Sequence, residues 1–394
     1  GEATQRGVAE DIDVVAGATT AVAVDLGQAP PPGCTTDTPP RAGDGCCPAG
    51  KTHQDDPDCC QPGTLRSNDL GVEGRDAAFA ADAHGGIFVA YLDADRRLRW
   101  LAQPGKGGLL GAAVLGRPLV AITPAGAPVI VYLEREKREL HVAVGKGGPD
   151  YSWDDVVVDT LQSSTFQGSI AVTADGSVHL AYLSGAPPAQ ARYATNRGGT
   201  WSAVALAMKT TIAGDKLRLA AGPKTVHLCH VTVSAATLEH GTIHPTEGLK
   251  LQTLAHDETD LFDCQIAVDA TENPHILVSP YQGIVSYGAQ SKGSSRGRAG
   301  GEVKWSWRKL TTYTTARGAR VVGGALHLAA NRGTLGIWHG WASLSDLQWQ
   351  ELKLMNVVSL PFAFDVDASG MAHALSTAKP TAPGALTHHR HCTR

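Results

Sequence analysis

No stretch of this 394-residue chain approaches 18 consecutive apolar residues, so the sequence predicts no membrane-spanning helix. Positive charge is not in excess either. Lysine and arginine number 34 against 38 acidic residues, a formal net charge of -4. The basic stripe that DNA or RNA recognition requires is missing, which excludes nucleic acid as a partner. There is no H-E-x-x-H pair to hold a peptidase zinc on a helix. A complete EF-hand calcium loop is absent, and so is the S-x-D-x-G-x-T-W box.

What is present begins with cysteine. Five of the eight cysteines fall in one run, CTTDTPPRAGDGCCPAGKTHQDDPDCC, at Cys34, Cys46, Cys47, Cys59 and Cys60. A zinc site needs thiolates at C-x-x-C-like spacing, whereas this run has two vicinal pairs, which pair outward to different partners. The expectation is a disulfide-rich segment over 34–62, preceded by an Ala/Gly/Pro-rich arm or linker over 1–33. The GDGCCPxG…DxDC pattern resembles short modules of secreted myxobacterial proteins. That resemblance implies export to an oxidising compartment, extracellular or periplasmic. The small, polar stretch at Gly1 fits a mature chain whose export signal has been removed.

From residue 63 onward the chain repeats. One unit reads GSIAVTADGSVHLAYLSGAPPAQARYATNRGGTWSAVAL: two alternating runs around an Asp-Gly turn, a third run, a Gly-rich hairpin and a Trp-bearing fourth run. Seven copies align on the first turn, with reference positions Phe88, Val129, His179, His227, His275, His327 and His373. Steps of 41, 50, 48, 48, 52 and 46 residues match four-stranded blades. The sequence therefore predicts an all-β, seven-bladed β-propeller over 63–394, read as a monomer. The seventh unit has room for three strands only, and GTLRSND ahead of the first unit supplies the fourth. Cys392 would then lie near the disulfide-rich segment and pair with it. Cys229 and Cys264 stand where adjacent blades meet, which predicts a bridge between them.

The variable connections, after the second and fourth strands, emerge on one face, where function is expected. Five histidines share one repeat position: His179, His227, His275, His327 and His373. They read in two ways. A position repeated in most blades suits a structural hydrogen-bonding device, one ring nitrogen donating and the other accepting. A ring of neutral imidazoles would instead hold a transition metal such as Zn, Cu or Fe. The terminal HHRHC, with His388, His389 and His391, reads as a structural strand end. Tyr91, Tyr132 and Tyr182 end the second strand of the first three repeats, but the fourth has His230 there. His230, Tyr182, Tyr281 and Arg332 are the candidates for proton transfer, and Arg75, Arg117, Arg317 and Arg320 for binding an acidic group.

The D-G-x-x-H-hydrophobic-x-Y unit with its later L-x-Y-A resembles the repeats of sialidase-like propellers, and ulvan lyases are similar at this level. That resemblance implies a secreted propeller engaging an extracellular glycan, with uronate-lyase activity in which His and Tyr exchange protons while Arg neutralises the uronate. The alternatives are a non-catalytic module that binds a glycan or surface protein, and a metal enzyme built on the repeated histidines.

Overall fold

A computed structural model describes residues 65–83, 85–102, 106–147, 151–162, 166–185, 189–208, 216–244, 248–256, 260–281, 283–290, 305–310, 313–332, 335–355, 362–377 and 383–391. Among these, every regular element is a strand except the single 3-10 turn Val233–Ala235. The arm, the disulfide-rich segment and Cys392 lie outside the described residues.

One repeat shows how the sheets arise. Gly168–Val172, Val178–Ser184, Gln190–Thr195 and Ser202–Ala205 pair antiparallel in chain order. The first turn is closed by the Thr173 amide donating to the Ser177 carbonyl at 3.0 Å. Gly176, at φ +82°, takes the left-handed position that a side chain would strain. Asp175 accepts the Thr173 hydroxyl at 2.6 Å and the Ser177 amide at 3.0 Å. These hydrogen bonds hold its carboxyl down at about 2.

The second strand of each unit is buried on both faces, as in Val178–Ser184. Leu180 and Tyr182 pack with Val129 and Val131 of the preceding sheet, while Ala181 and Leu183 pack with Leu217 and Leu228 of the following one. The core therefore lies between sheets, and period-two alternation of apolar residues feeds both neighbours at once. A bridge between Cys229 and Cys264, both fully buried, ties the fourth repeat to the fifth.

Three further four-stranded sheets begin at Lys216, Leu261 and Thr315. The remaining strands form one ten-stranded sheet, joined through Leu65–Ala81 and Lys106–Ile122, each 17 residues long. In both, the pairing changes partway. Residues 65–74 pair with Gly384–His391 and residues 75–81 with Ile87–Leu92; residues 106–113 pair with Arg97–Ala102 and 114–122 with Pro128–Glu134. Each long strand is outermost in one group of strands and innermost in the next. The innermost strands, those holding Phe79, Val120, Ile170, Leu219, Ile266, Ala319 and Phe364, contact one another in that order. The last returns to the first. Sheets packed radially around a closed ring of inner strands make the fold an all-β propeller with a central channel.

Candidate functional site

Each inner strand runs from the face of the longer connections toward the tight first turn, so its opening residues frame one mouth of the channel. Five cationic side chains line this mouth among the described residues: Arg117, Lys216, Arg218, Arg317 and Arg320. The one acid is Asp263. The cavity they enclose is about 500 Å³ and continues into a deeper space of about 290 Å³ walled by aliphatic residues and the Arg320–Asp365 pair.

The cations are held differently. Arg218 Nη2 donates to Asp263 Oδ2 at 3.0 Å, and Arg320 Nε to Asp365 Oδ1 at 2.7 Å, each pair joining adjacent inner strands. Asp365 is itself oriented by the amides of Ala81 and Val366, both at 3.0 Å. Its negative charge raises the Arg320 pKa. Arg317 Nε donates to Asn331 Oδ1 at 3.3 Å, and burial lowers its pKa against the pull of Asp263. Arg117 Nη1 donates to the Phe362 carbonyl at 3.2 Å. Burial pushes the Arg117 guanidinium down to about 10; Asp76 opposes the shift and Arg218 adds to it. A guanidinium that has lost part of its water gains more from an arriving anion than a fully solvated one does.

One side of the mouth is aromatic. Lys216 Nζ lies 5.7 Å from the centre of the Phe262 ring, and Tyr281 meets Phe262 edge-on at 5.9 Å. Tyr281 is 68% exposed, an apolar ring face left open beside the cations.

The residues singled out from sequence separate into two groups. Arg117, Arg317 and Arg320 all line the channel, and Tyr281, outside that lining, meets Phe262, which belongs to it. Arg75 does not line it; it lies opposite Leu92 with its Nε buried and lacking a hydrogen-bond partner. His230, Tyr182 and Arg332 are not brought to the mouth. His230 is fully buried, with Nδ1 3.0 Å from Glu239 Oε2. Tyr182 donates to Asp159 Oδ2 at 2.6 Å, where Arg192 is also bound at 2.7 Å. Arg332 pairs with Glu351 and lies over the Trp338 ring at 4.8 Å. The reason is the strand period: the residue ending the second strand faces the preceding sheet, not the loops above it.

The five repeated histidines do not converge. Each meets a partner on the third strand of its own sheet. His179 Nδ1 is 2.5 Å from the Tyr193 hydroxyl, His275 Nδ1 2.8 Å from that of Tyr287, and His227 Nδ1 3.1 Å from His240 Nε2. His327 meets His339 at 3.2 Å and His373 meets His388 at 3.1 Å. At the second nitrogen, His227 and His373 face Glu272 and Asp367 at 3.3 and 3.1 Å. Among the described residues no group of three or more His, Cys, Asp or Glu is placed to hold a metal ion. The terminal histidines are engaged too: His389 lies between the Ser67 and Ser376 hydroxyls at 2.7 and 2.9 Å, and His391 Nδ1 is 2.6 Å from His339 Nδ1.

Lys216, Arg218, Phe262 and Asp263 were not singled out by sequence reasoning. The signal of Lys216, Arg218 and Asp263 is a charge inside an inner strand, as in KLRLAA and LFDCQIAV, where an alternating apolar run would be self-sufficient.

No family model matches this chain, and no curated protein matches it. Among solved structures it is similar to the polysaccharide lyase Uly1, at 10% identity and a TM-score of 0.50, covering 78% of this chain and 88% of that one. It is also similar to AofleA from Arthrobotrys oligospora, at 13% identity, TM-score 0.47, covering 82% and 85%. A third is the Aleuria aurantia lectin, described as a six-bladed β-propeller, at 12% identity, TM-score 0.46, covering 73% and 96%. The likeness to Uly1 is one of fold.

Proposed function

We propose that this chain is a secreted, seven-bladed β-propeller that binds an acidic glycan, through a uronate-type carboxylate, at the cationic mouth of its channel. The blade count follows from assigning Leu65–Ala81 and Lys106–Ile122 to two blades each. We read 34–62 as a disulfide-rich segment and 1–33 as an arm or linker, both outside the described residues. Secretion is supported by the Cys229–Cys264 bridge, since such bonds persist in oxidising compartments.

One observation carries the binding reading: among the described residues, Arg117, Lys216, Arg218, Arg317 and Arg320 line a cavity of about 500 Å³ against Asp263 and the Asp365 paired to Arg320, beside the Phe262–Tyr281 aromatic edge. Guanidinium groups bind carboxylates through paired, charge-assisted hydrogen bonds, and an open ring accepts the apolar face of a pyranose. A cavity of this size suits a ligand of one or a few rings. Fold likeness alone carries no activity, so the argument rests on these side chains. Binding is favoured over turnover because His230, Tyr182 and Arg332 are engaged away from the mouth, leaving Tyr281 as the one exposed proton-transfer candidate.

Calorimetry with polygalacturonate oligomers tests this. Arg117→Gln should weaken binding about tenfold or more, the scale of one hydrogen bond to a charged group. Raising salt should weaken it further as the mouth is screened. Absence of binding by every uronate polymer tried would overturn the proposal, and unsaturated product absorbing in the ultraviolet would move it to a lyase.

A further inference from the structure

Asp263 is the one acid lining the mouth among the described residues, and it is only 9% exposed. Its place is fixed from several directions. Oδ1 accepts the Cys264 amide at 2.9 Å, and Oδ2 accepts Arg218 Nη2 at 3.0 Å and Gln265 Nε2 at 3.4 Å. Behind the ion pair lies the Cys229–Cys264 bridge: Cys229 stands opposite Arg218 in the register, and Cys264 follows Asp263 along its strand. The same two sheets are thus joined by a covalent bond and, one residue away, by a charge pair.

An acid held firmly in a basin built for anions has two consequences. In the empty mouth it offsets cation repulsion, and its pull on Arg317 is in the direction that keeps that guanidinium charged. With a ligand present it repels any second negative charge, while its oxygens retain lone pairs for hydroxyl donors. A sugar with one carboxylate and neighbouring hydroxyls satisfies both the arginines and the acid. A residue crowded with sulfate groups satisfies the arginines but places negative charge against Asp263.

We propose that Asp263 is a specificity-determining residue that makes the mouth select a singly charged, hydroxyl-bearing acidic sugar, a uronate, over a sulfate-dense polyanion. The inference rests on the acidic-glycan reading above and goes further in naming the discriminating group.

The test measures affinities of the unaltered chain, Asp263→Asn and Asp263→Glu for polygalacturonate oligomers and for dextran sulfate of matched length at fixed ionic strength. The unaltered chain should prefer the uronate. Asp263→Asn should shift the ratio toward sulfate by about tenfold or more, since like charges in contact cost several kcal/mol. Asp263→Glu should hold the ratio within about threefold, a difference under 1 kcal/mol. An unchanged ratio in a folded Asp263→Asn chain would overturn the inference while leaving acidic-glycan binding intact; failure of the unaltered chain to bind either polymer would remove both. Should Asp263→Asn not fold, competition on the unaltered chain decides. Inorganic sulfate should need at least about ten times the concentration of galacturonate to displace a bound uronate oligomer, and equal potency would overturn the selectivity.

Discussion

His227 Nδ1 lies 3.1 Å from His240 Nε2, and the two rings stack with their planes 21° apart. Such a contact needs one N–H and one lone pair, so protonating both rings would set two N–H groups against each other. The same arrangement recurs for His327 with His339 and for His373 with His388. It excludes protonating both rings of one pair, and burial lowers the pKa of His227, His240, His339 and His388.

Acid should therefore unfold this protein. Burial pushes His240 down to about 3, His388 to about 2, and His179 and His391 to about 4. In the unfolded chain each regains the ordinary value of about 6.5. Between those values the unfolded state binds more protons, so the stability present above about pH 6.5 is lost progressively as pH falls toward the folded values. Calorimetric melts from neutral to about pH 4 should show a falling midpoint, steepest below about pH 6. A flat midpoint would contradict the buried neutral rings.

His275→Asn should lower stability without touching metal content. The substitution removes the hydrogen bond to the Tyr287 hydroxyl and the approach to Asp269 at 3.5 Å. Losing one buried partner costs about 1–3 kcal/mol. Thermal melts paired with elemental analysis check both halves, and loss of a stoichiometric metal would restore the metal-ring reading.

Replacing both Cys229 and Cys264 with alanine should destabilise the chain by about 2–4 kcal/mol, for a bridge spanning 35 residues. Uronate affinity should fall with it, because the Arg218–Asp263 pair loses its brace. Peptide mapping without reduction should recover the two cysteines on one linked fragment.

His230→Tyr restores the residue of the first three repeats, but the site is fully buried and the imidazole is bound to Glu239. Fitting the larger ring should cost about 1–3 kcal/mol. Affinity for polygalacturonate should stay within about threefold, under 1 kcal/mol, because the residue is not at the mouth. Loss of binding in a folded His230→Tyr chain would return this histidine to the site.

The architecture was legible because its physics is local and repeated. Alternation and the Asp-Gly turn specify hairpins, and the shortfall in the last repeat pointed to residues 65–69 pairing with 387–391, as they do. Arg117, Arg317 and Arg320 were legible as charges near variable loops. Arg218 and Asp263 were not, because only the radial arrangement brings neighbouring inner strands side by side and so makes the two charges a pair. His230 was legible as a departure from the repeat, but not its burial, because the strand period turns that position inward.

Ser67 and His389 are bonded across 322 residues of sequence. A chain emerging amino-end first therefore carries residues 65–69 as an unmatched edge until residues 387–391 have been made. Every sheet between can assemble from neighbours already made, but the first and last must wait for each other. Closing so long a loop is slow, and an open edge recruits other chains in the interval. The vulnerable period thus falls before residues 387–391 pair with 65–69, when a nearly complete ring still has two ends.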